Sequence, residues 1–239
     1  MELNKIYNQE ALAGMAEIEA GTVDMILTDL PYGTTRNNWD SIIPLDAMWQ
    51  QFNRVIKPNG AIVLTSQQPF TTRLISSNPK RFRYEWIWQK SIATGFLNAR
   101  RMPLKKHENV LVFYQRLPTY NPQYTMGKPY MTRTNKASSN YGHMKPTATI
   151  ATDGKRYPVD VLNIKSETGL HPTQKPVGLM AYMINTYTNA GETVLDCCMG
   201  SGTTAIAAIQ TGRNFIGFEL NKDYCDVANK RISTYQSQK

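Results

Sequence analysis

Val194-Leu195-Asp196-Cys197-Cys198-Met199-Gly200-Ser201-Gly202-Thr203-Thr204 reads as an apolar strand, a tight glycine turn and the opening of a helix. Gly200 and Gly202 lack Cβ atoms, so the backbone can take dihedrals closed to other residues and a ligand can approach closely. Downstream, Phe215-Ile216-Gly217-Phe218-Glu219 reads as a second strand ending in an acid, 23 residues after Asp196. An acid at that spacing is placed to hydrogen-bond the ribose hydroxyls of a nucleoside lying over the strand ends. The pattern lacks GxGxxG spacing and a Walker lysine, so it specifies neither a dinucleotide nor a triphosphate. By itself, a glycine turn serves packing as readily as binding.

The same alternation extends outward in both directions. Toward the N-terminus the composition predicts a helix over 11–19 closed by Gly21 and a strand over 23–28. A helix over 45–57 stops at Pro58-Asn59-Gly60, and a strand follows over 61–65. A helix over 70–77 precedes strands over 84–88 and 109–114. Toward the C-terminus come a helix over 177–188, a strand over 193–197, a helix over 203–210, a strand over 214–219 and a helix over 222–235. Such alternation predicts an α/β fold on a mostly parallel sheet. Between the halves, residues 115–165 are rich in Pro, Tyr, Asn, Thr and Lys without a sustained period, and read as an ordered insertion.

The first strand also ends in chemistry: Thr28-Asp29-Leu30-Pro31-Tyr32-Gly33. An acid, a proline-fixed turn and an aromatic ring can grip a planar, amine-bearing ring by its edge and its face. Asp29 would accept from an exocyclic amine, the Leu30 carbonyl would accept a second hydrogen bond, and Tyr32 would stack. The bland alternative for these residues is an ordinary surface turn.

Composition limits the classes. Of the 239 residues 41% are apolar and 10% aromatic, too many for a disordered chain. No apolar run approaches the ~18 residues of a membrane helix, and the N-terminus carries no signal-like apolar segment. The cysteines (Cys197, Cys198 and Cys225) form neither a disulfide framework nor a metal pair, and fit a reducing cytoplasm. His107, His143 and His171 do not sit at metal-ligand spacings. The 27 Lys+Arg against 18 Asp+Glu leave a net charge of +9, which suits a polyanionic partner. Many cations lie between the two motifs, first over 80–106 (Lys80, Arg81, Arg83, Lys90, Arg100, Arg101, Lys105, Lys106, opposed by Glu85) and then in the insertion. Neutralising phosphates with such clusters gives sequence-independent affinity for nucleic acid.

Together the motifs resemble those of a known family. Asp-Leu-Pro-Tyr is similar to the [DNS]-P-P-Y motif of amino-group DNA methyltransferases, and Leu195 to Thr204 resembles their S-adenosylmethionine loop. His171-Pro172-Thr173-Gln174-Lys175-Pro176 is similar to a third family landmark beside the cofactor. The order (catalytic motif, basic insertion, third landmark, cofactor loop) resembles the permuted β-class. Two departures stand out: Leu30 replaces the usual first proline, and Cys197-Cys198 stands where Pro-Phe is common.

The resemblance implies a Rossmann-like, permuted methyltransferase fold with a mostly parallel seven-stranded sheet. It divides the chain into a catalytic half (1–114), a target-recognition insertion (115–165) and a cofactor-binding half (166–239). It implies transfer of a methyl group from S-adenosylmethionine to N6 of a flipped adenine in duplex DNA, in the cytoplasm of a prokaryotic or phage-infected cell. It places Asp29, Leu30, Pro31 and Tyr32 on the target base. Asp196, Gly200, Gly202 and Thr203 fall on the methionine part of the cofactor, Glu219 on its ribose, Glu10 toward its adenine, and Thr173, Gln174 and Lys175 along the methionine carboxylate. Arg100, Arg101, Lys105, Arg133, Lys136 and His143 are the DNA candidates, with Asn135 beside them; a homodimer and a cognate restriction endonuclease are further partners to be tested. Cytosine-N4 transfer, RNA or protein-glutamine methylation, and a non-enzymatic DNA-binding module are the alternatives. Cytosine-C5 chemistry is excluded, because it needs a Pro-Cys nucleophile that this sequence lacks. Glu108-Asn109-Val110 matches a tripeptide of that C5 family by coincidence, and His107-Glu108 aligns better as the lead into a sheet strand.

Overall fold

Alternating burial along the strands sorts their side chains onto two faces and so builds three layers. The computed structural model describes residues 1–33, 41–133, 148–169 and 174–238. In chain order the first half holds β1 (Lys5–Asn8), α1 (Ala11–Ala16), β2 (Val23–Asp29), α2 (Leu45–Val55), β3 (Ile56–Ser66), α3 (Phe70–Ser77), β4 (Phe82–Thr94) and β5 (Lys105–Phe113). Short strands β6 (Thr125–Met126), β7 (Tyr130–Arg133), β8 (Ala148–Ala151) and β9 (Lys155–Arg156) follow. The chain closes with β10 (Val161–Asn163), α4 (Val177–Tyr187), β11 (Thr193–Asp196), α5 (Thr203–Gln210), β12 (Asn214–Glu219) and α6 (Lys222–Ser237).

Two compact units result, one of residues 1–121 with 160–239 and one of residues 122–159. In the first, an eight-stranded sheet has the order β1-β12-β11-β2-β3-β5-β4-β10. Its strands pair in parallel except β5, which is antiparallel to both β3 and β4. Met25 and Leu27 of β2 pack with Leu179 and Met183 of α4 and with Ala205 and Ala208 of α5 on one face. Ile26, between them, joins Met15 of α1, Met48 and Phe52 of α2 and Phe70 of α3 on the other. No described helix is long and apolar enough to cross a membrane.

The sheet has one strand more than the seven expected. β1 and β10 escape a sequence reading because segments of 4 and 3 residues, burying a single side chain each, carry no periodic signal. The second helix ends at Val55, not Lys57, because residues 56–60 are already extended in β3. A Cβ on Gly60 would come within 2.7 Å of the Asp24 carbonyl oxygen, so the glycine is there for close strand approach rather than to stop a helix. The first helix likewise closes at Ala16.

The second unit contains two antiparallel pairs, β6 with β9 and β7 with β8. Aromatics and cations bind it together: Tyr124 and Tyr157 have ring centroids 5.0 Å apart, and the Arg156 guanidinium lies 4.1 Å from the Tyr130 centroid.

Candidate active site

Parallel pairing brings the C-terminal ends of β2, β11 and β12 to one edge of the sheet. β11 and β2 are adjacent in the sheet yet far apart in the chain, with later strands running away on either side, so their ends form a topological switch point. A cleft of about 890 Å³ opens there, lined among others by Glu10, Asp29, Tyr32, Asp196, Gly200 and Glu219. The strand-end motifs thus share one cavity.

At one end, the Glu219 carboxylate accepts from the Gly200 N–H at 2.7 Å and the Asn221 N–H at 2.8 Å. Burial raises its carboxyl above the usual range, and these backbone donors pull it part of the way back. Asp196 is buried, which pushes its carboxyl up to about 6 against the opposing pull of the Thr204 and Thr28 hydroxyls and the Cys198 N–H. Gly200 and Gly202 have φ of 54° and 82°, as the turn requires. From α6, Arg231 donates to the Ser201 carbonyl and to Thr203 Oγ1, both at 3.2 Å, bracing the loop from behind. Glu10 lines the same cleft while its Oε2 accepts from the Ala13 N–H at 2.8 Å, capping α1. A Cβ at Gly202 would sit 3.0 Å from the Ala228 Cβ in a left-handed conformation. Gly202→Ala is therefore expected to lower the unfolding free energy by about 1–2 kcal/mol, measured by urea denaturation.

At the other end, Asp29 is held by several groups. Tyr32 Oη donates to its Oδ1 at 2.6 Å, Thr65 Oγ1 donates to the same oxygen, and Lys175 Nζ donates to Oδ2 at 2.6 Å. Lys175 also lies 3.3 Å from Glu108 Oε2, while Lys90 Nζ lies 3.1 Å from Glu108 Oε1. The result is a chain of alternating charge, Asp29–Lys175–Glu108–Lys90, buried at Lys175 and Lys90 and open to the cleft at Asp29. Burial pulls the Lys175 ammonium downward, but Asp29 and Glu108 overcome it and leave its pKa raised. Burial first, then the Asp29 and Glu108 charges, hold the Tyr32 phenol well above its ordinary value, so it remains a neutral donor. The Tyr32 ring stacks on Phe70 with centroids 5.4 Å apart.

A family model described as DNA methylase, of the N6/N4 methyltransferases, matches residues 23–230. The chain belongs to the N6/N4 DNA methylase family. It is similar to the DNA adenine methyltransferase YhdJ of Escherichia coli (strain K12), 26% identical over 97% of this chain and 83% of the relative. Among solved structures it resembles the M1.HpyAVI–SAM complex (TM-score 0.64, 24% identity, 95% of this chain and 98% of that one). It also resembles the cytosine-N4-specific PvuII DNA methyltransferase (TM-score 0.70, 15% identity, 95% and 85%).

In this N6/N4 methylase, Leu30 and Pro31 line the cleft beside Asp29. Leu30 is 3% exposed and packs among the buried residues under α2 and α3, so its side chain anchors the turn where a proline is usual. Gln174 lines the cleft and donates to Glu167 at 3.4 Å, while Thr173 lies outside the described residues. Lys175 lines the cleft and points its ammonium at Asp29 and Glu108. Arg100, Arg101 and Lys105 are exposed. Arg133 has its backbone in β7, and Lys136, Asn135 and His143 lie outside the described residues. Lys90 does not belong with the exposed cations, because it is buried against Glu108. Trp86 and Trp88 are core residues, donating to Tyr187 Oη and the Ile164 carbonyl. Contact with Cys197, burial and nearby acids push the Cys198 thiol well up, which disfavours the thiolate form.

Sequence reasoning overlooked Thr65 and Glu108. Thr65 had a usable signal, since it ends the strand after Asp29, and the two are register partners. Glu108 had none, because its place depends on β5 running antiparallel and so starting at the ligand edge.

Proposed function

We propose that this DNA methylase transfers a methyl group from S-adenosylmethionine to N6 of an adenine turned out of duplex DNA. The observation that carries the reading is that Asp29 and the Glu219–Gly200 loop face a single cleft at the sheet's switch point. The residues present fit the cofactor. Glu219 offers acceptors for ribose hydroxyls, Asp196 offers a carboxylate for a cationic methionine end, and open space lies where a Gly200 Cβ would stand. Thr203, Gln174 and Glu10 complete that end.

S-adenosylmethionine supplies, when bound, a sulfonium methyl that is already electrophilic. The protein therefore has to align and polarise the amine. One amine N–H meets the Asp29 carboxylate and the other the Leu30 carbonyl, which draws the nitrogen toward a pyramidal form with an available lone pair. Alignment contributes most, since well-oriented reactants gain roughly 7–11 kcal/mol over free encounter. Methylation leaves an acidic proton on the amine, so Asp29 need not be a strong base. Tyr32 and the Phe70 ring behind it give the extruded base an aromatic wall in place of its lost stacking.

An acid at position 29 and the similarity to an adenine methyltransferase favour adenine over cytosine-N4. Arg100, Arg101 and Lys105 act on phosphates, and the insertion, with Arg133, Lys136 and His143, reads the site. The decisive experiment is to react the protein with methyl-labelled S-adenosylmethionine and varied DNA, then identify the labelled base and its context. Label in N4-methylcytosine would replace the adenine assignment, and label only in RNA or protein would remove DNA as substrate.

Asp196 gives the site a pH signature. An acid raised in the fold from 3.8 to about 6 stabilises the protein through its protonated form. That stabilisation is complete below pH 3.8 and is lost as pH rises through about 6. The ionised form in turn attracts a cationic cofactor. Calorimetry is expected to show S-adenosylmethionine affinity rising as pH passes about 6, and a flat profile in Asp196→Asn.

A further inference from the structure

β3 runs parallel to β2, and β5 is antiparallel to both β3 and β4, so β4 points the same way as β2. Asp29 pairs with Thr65, Thr65 with Val110 and Val110 with Trp86, which puts Trp86 in the row of Asp29. From Trp86, β4 continues to Thr94 with β5 returning beside it from Lys105. That extension, roughly 25 Å for a regular strand, carries the hairpin well past the row of the reacting carboxylate. Lys90, Ile92 and Thr94 along it line the cleft.

The tip is hydrogen-bonded within itself. Gly95 turns at φ 92°, Asn98 N–H donates to the Gly95 carbonyl at 3.0 Å, and Met102 N–H donates to the Asn98 carbonyl at 3.0 Å. Yet its apolar side chains face outward: Leu97 is fully exposed, Phe96 66% and Met102 52%. A clustered apolar apex beside a substrate cleft marks a contact surface. Charge identifies the partner. Arg100, Arg101, Lys105 and Lys106 flank the apex, and no acid occurs between residues 89 and 107. A second copy of a chain of net charge +9 would be repelled there, whereas duplex DNA would be attracted.

We propose that residues 95–104 form a wedge. Phe96 and Leu97 enter the base stack and fill the space left when the target base turns out into the cleft, while Arg100 and Arg101 hold the flanking phosphates. Apolar side chains inserted between base steps are a general means of unstacking a duplex. The inference rests on the reading of the protein as a DNA base methyltransferase.

The test uses the full chain, its target site mapped by labelled transfer, on two duplexes. One is fully paired, and the other carries a mispair opposite the target base, which lowers the cost of extrusion. Phe96→Ala/Leu97→Ala changes only exposed side chains. It is expected to lower kcat/KM about tenfold or more on the paired duplex and to recover to within about threefold of the unaltered protein on the mispaired one, with S-adenosylmethionine affinity unchanged. Equal activity of the two proteins on the paired duplex overturns the wedge, as does an equal loss on both duplexes. A changed sedimentation profile with unchanged duplex activity also overturns it and makes the apex a contact between copies. If the unaltered protein labels no DNA, the underlying reading fails instead, an outcome distinct from the others.

Discussion

Replacing Asp29 by alanine is expected to cut methyl transfer by roughly 10²–10⁴-fold, the range seen when a preorganised group facing the reacting atoms is lost. The carboxylate is fixed from three sides, by Tyr32, Thr65 and Lys175, so it meets an incoming amine with little reorganisation. Alanine removes both the acceptor and the point on which Tyr32 is anchored. Glu219 and Gly200 are bonded to each other rather than to Asp29, so S-adenosylmethionine should still bind within about twofold, and the loss should fall on kcat. Asp29→Asn, which keeps the shape and loses the charge, should fall between the two. Single-turnover transfer beside calorimetric binding checks this, and near-normal turnover in the alanine variant would sink the assigned mechanism.

Lys175→Met is expected to carry the largest stability effect. The Lys175 side chain is 5% exposed, and its ammonium neutralises two carboxylates, at 2.6 Å and 3.3 Å. Removing one partner of a buried ion pair costs about 3–5 kcal/mol, because the remaining charge stays in a poorly solvating site. For a chain of this length that lowers Tm by roughly 10 °C. Glu108 would then keep Lys90 while Asp29 kept only hydroxyl donors. Adding Asp29→Asn should return part of the loss by removing the stranded charge, a coupling that a double-mutant cycle reads directly. A Tm within about 2 °C of the unaltered protein would show that Lys175 is not part of a buried charge network.

Both variants concern residues whose importance was unequally legible in the chain. Asp29 stands at the end of an apolar run and before a proline, a local pattern that marks a strand end and a turn. Gly200, Gly202 and Glu219 announce themselves similarly, and the helices over 70–77 and 203–210 begin and end where composition places them. Lys175 was legible as a motif residue, but its ion pair with Asp29 was not, because the two lie 146 positions apart. Lys90 illustrates the same limit. In the sequence it is one more cation in a basic stretch, and only the hairpin pairing sets it against Glu108.

What the sequence alone determined is therefore the C-terminal ends of β2, β11 and β12, the α/β class and the acids Asp29 and Glu219 that stand at those ends, because each is written in contiguous residues whose dihedral and hydrophobic preferences act locally. The tertiary structure decided which side chains hold Asp29 and where the exposed apolar apex stands. Those depend on strand order and direction. An antiparallel β5 begins near the edge where β2 ends, which brings Glu108 to the Lys175 ammonium that also holds Asp29, and the hairpin it forms with β4 carries Phe96 and Leu97 past the site. Residue spacing in the chain contains neither fact, since the free energy that selects the arrangement comes from burying the two faces of the whole sheet.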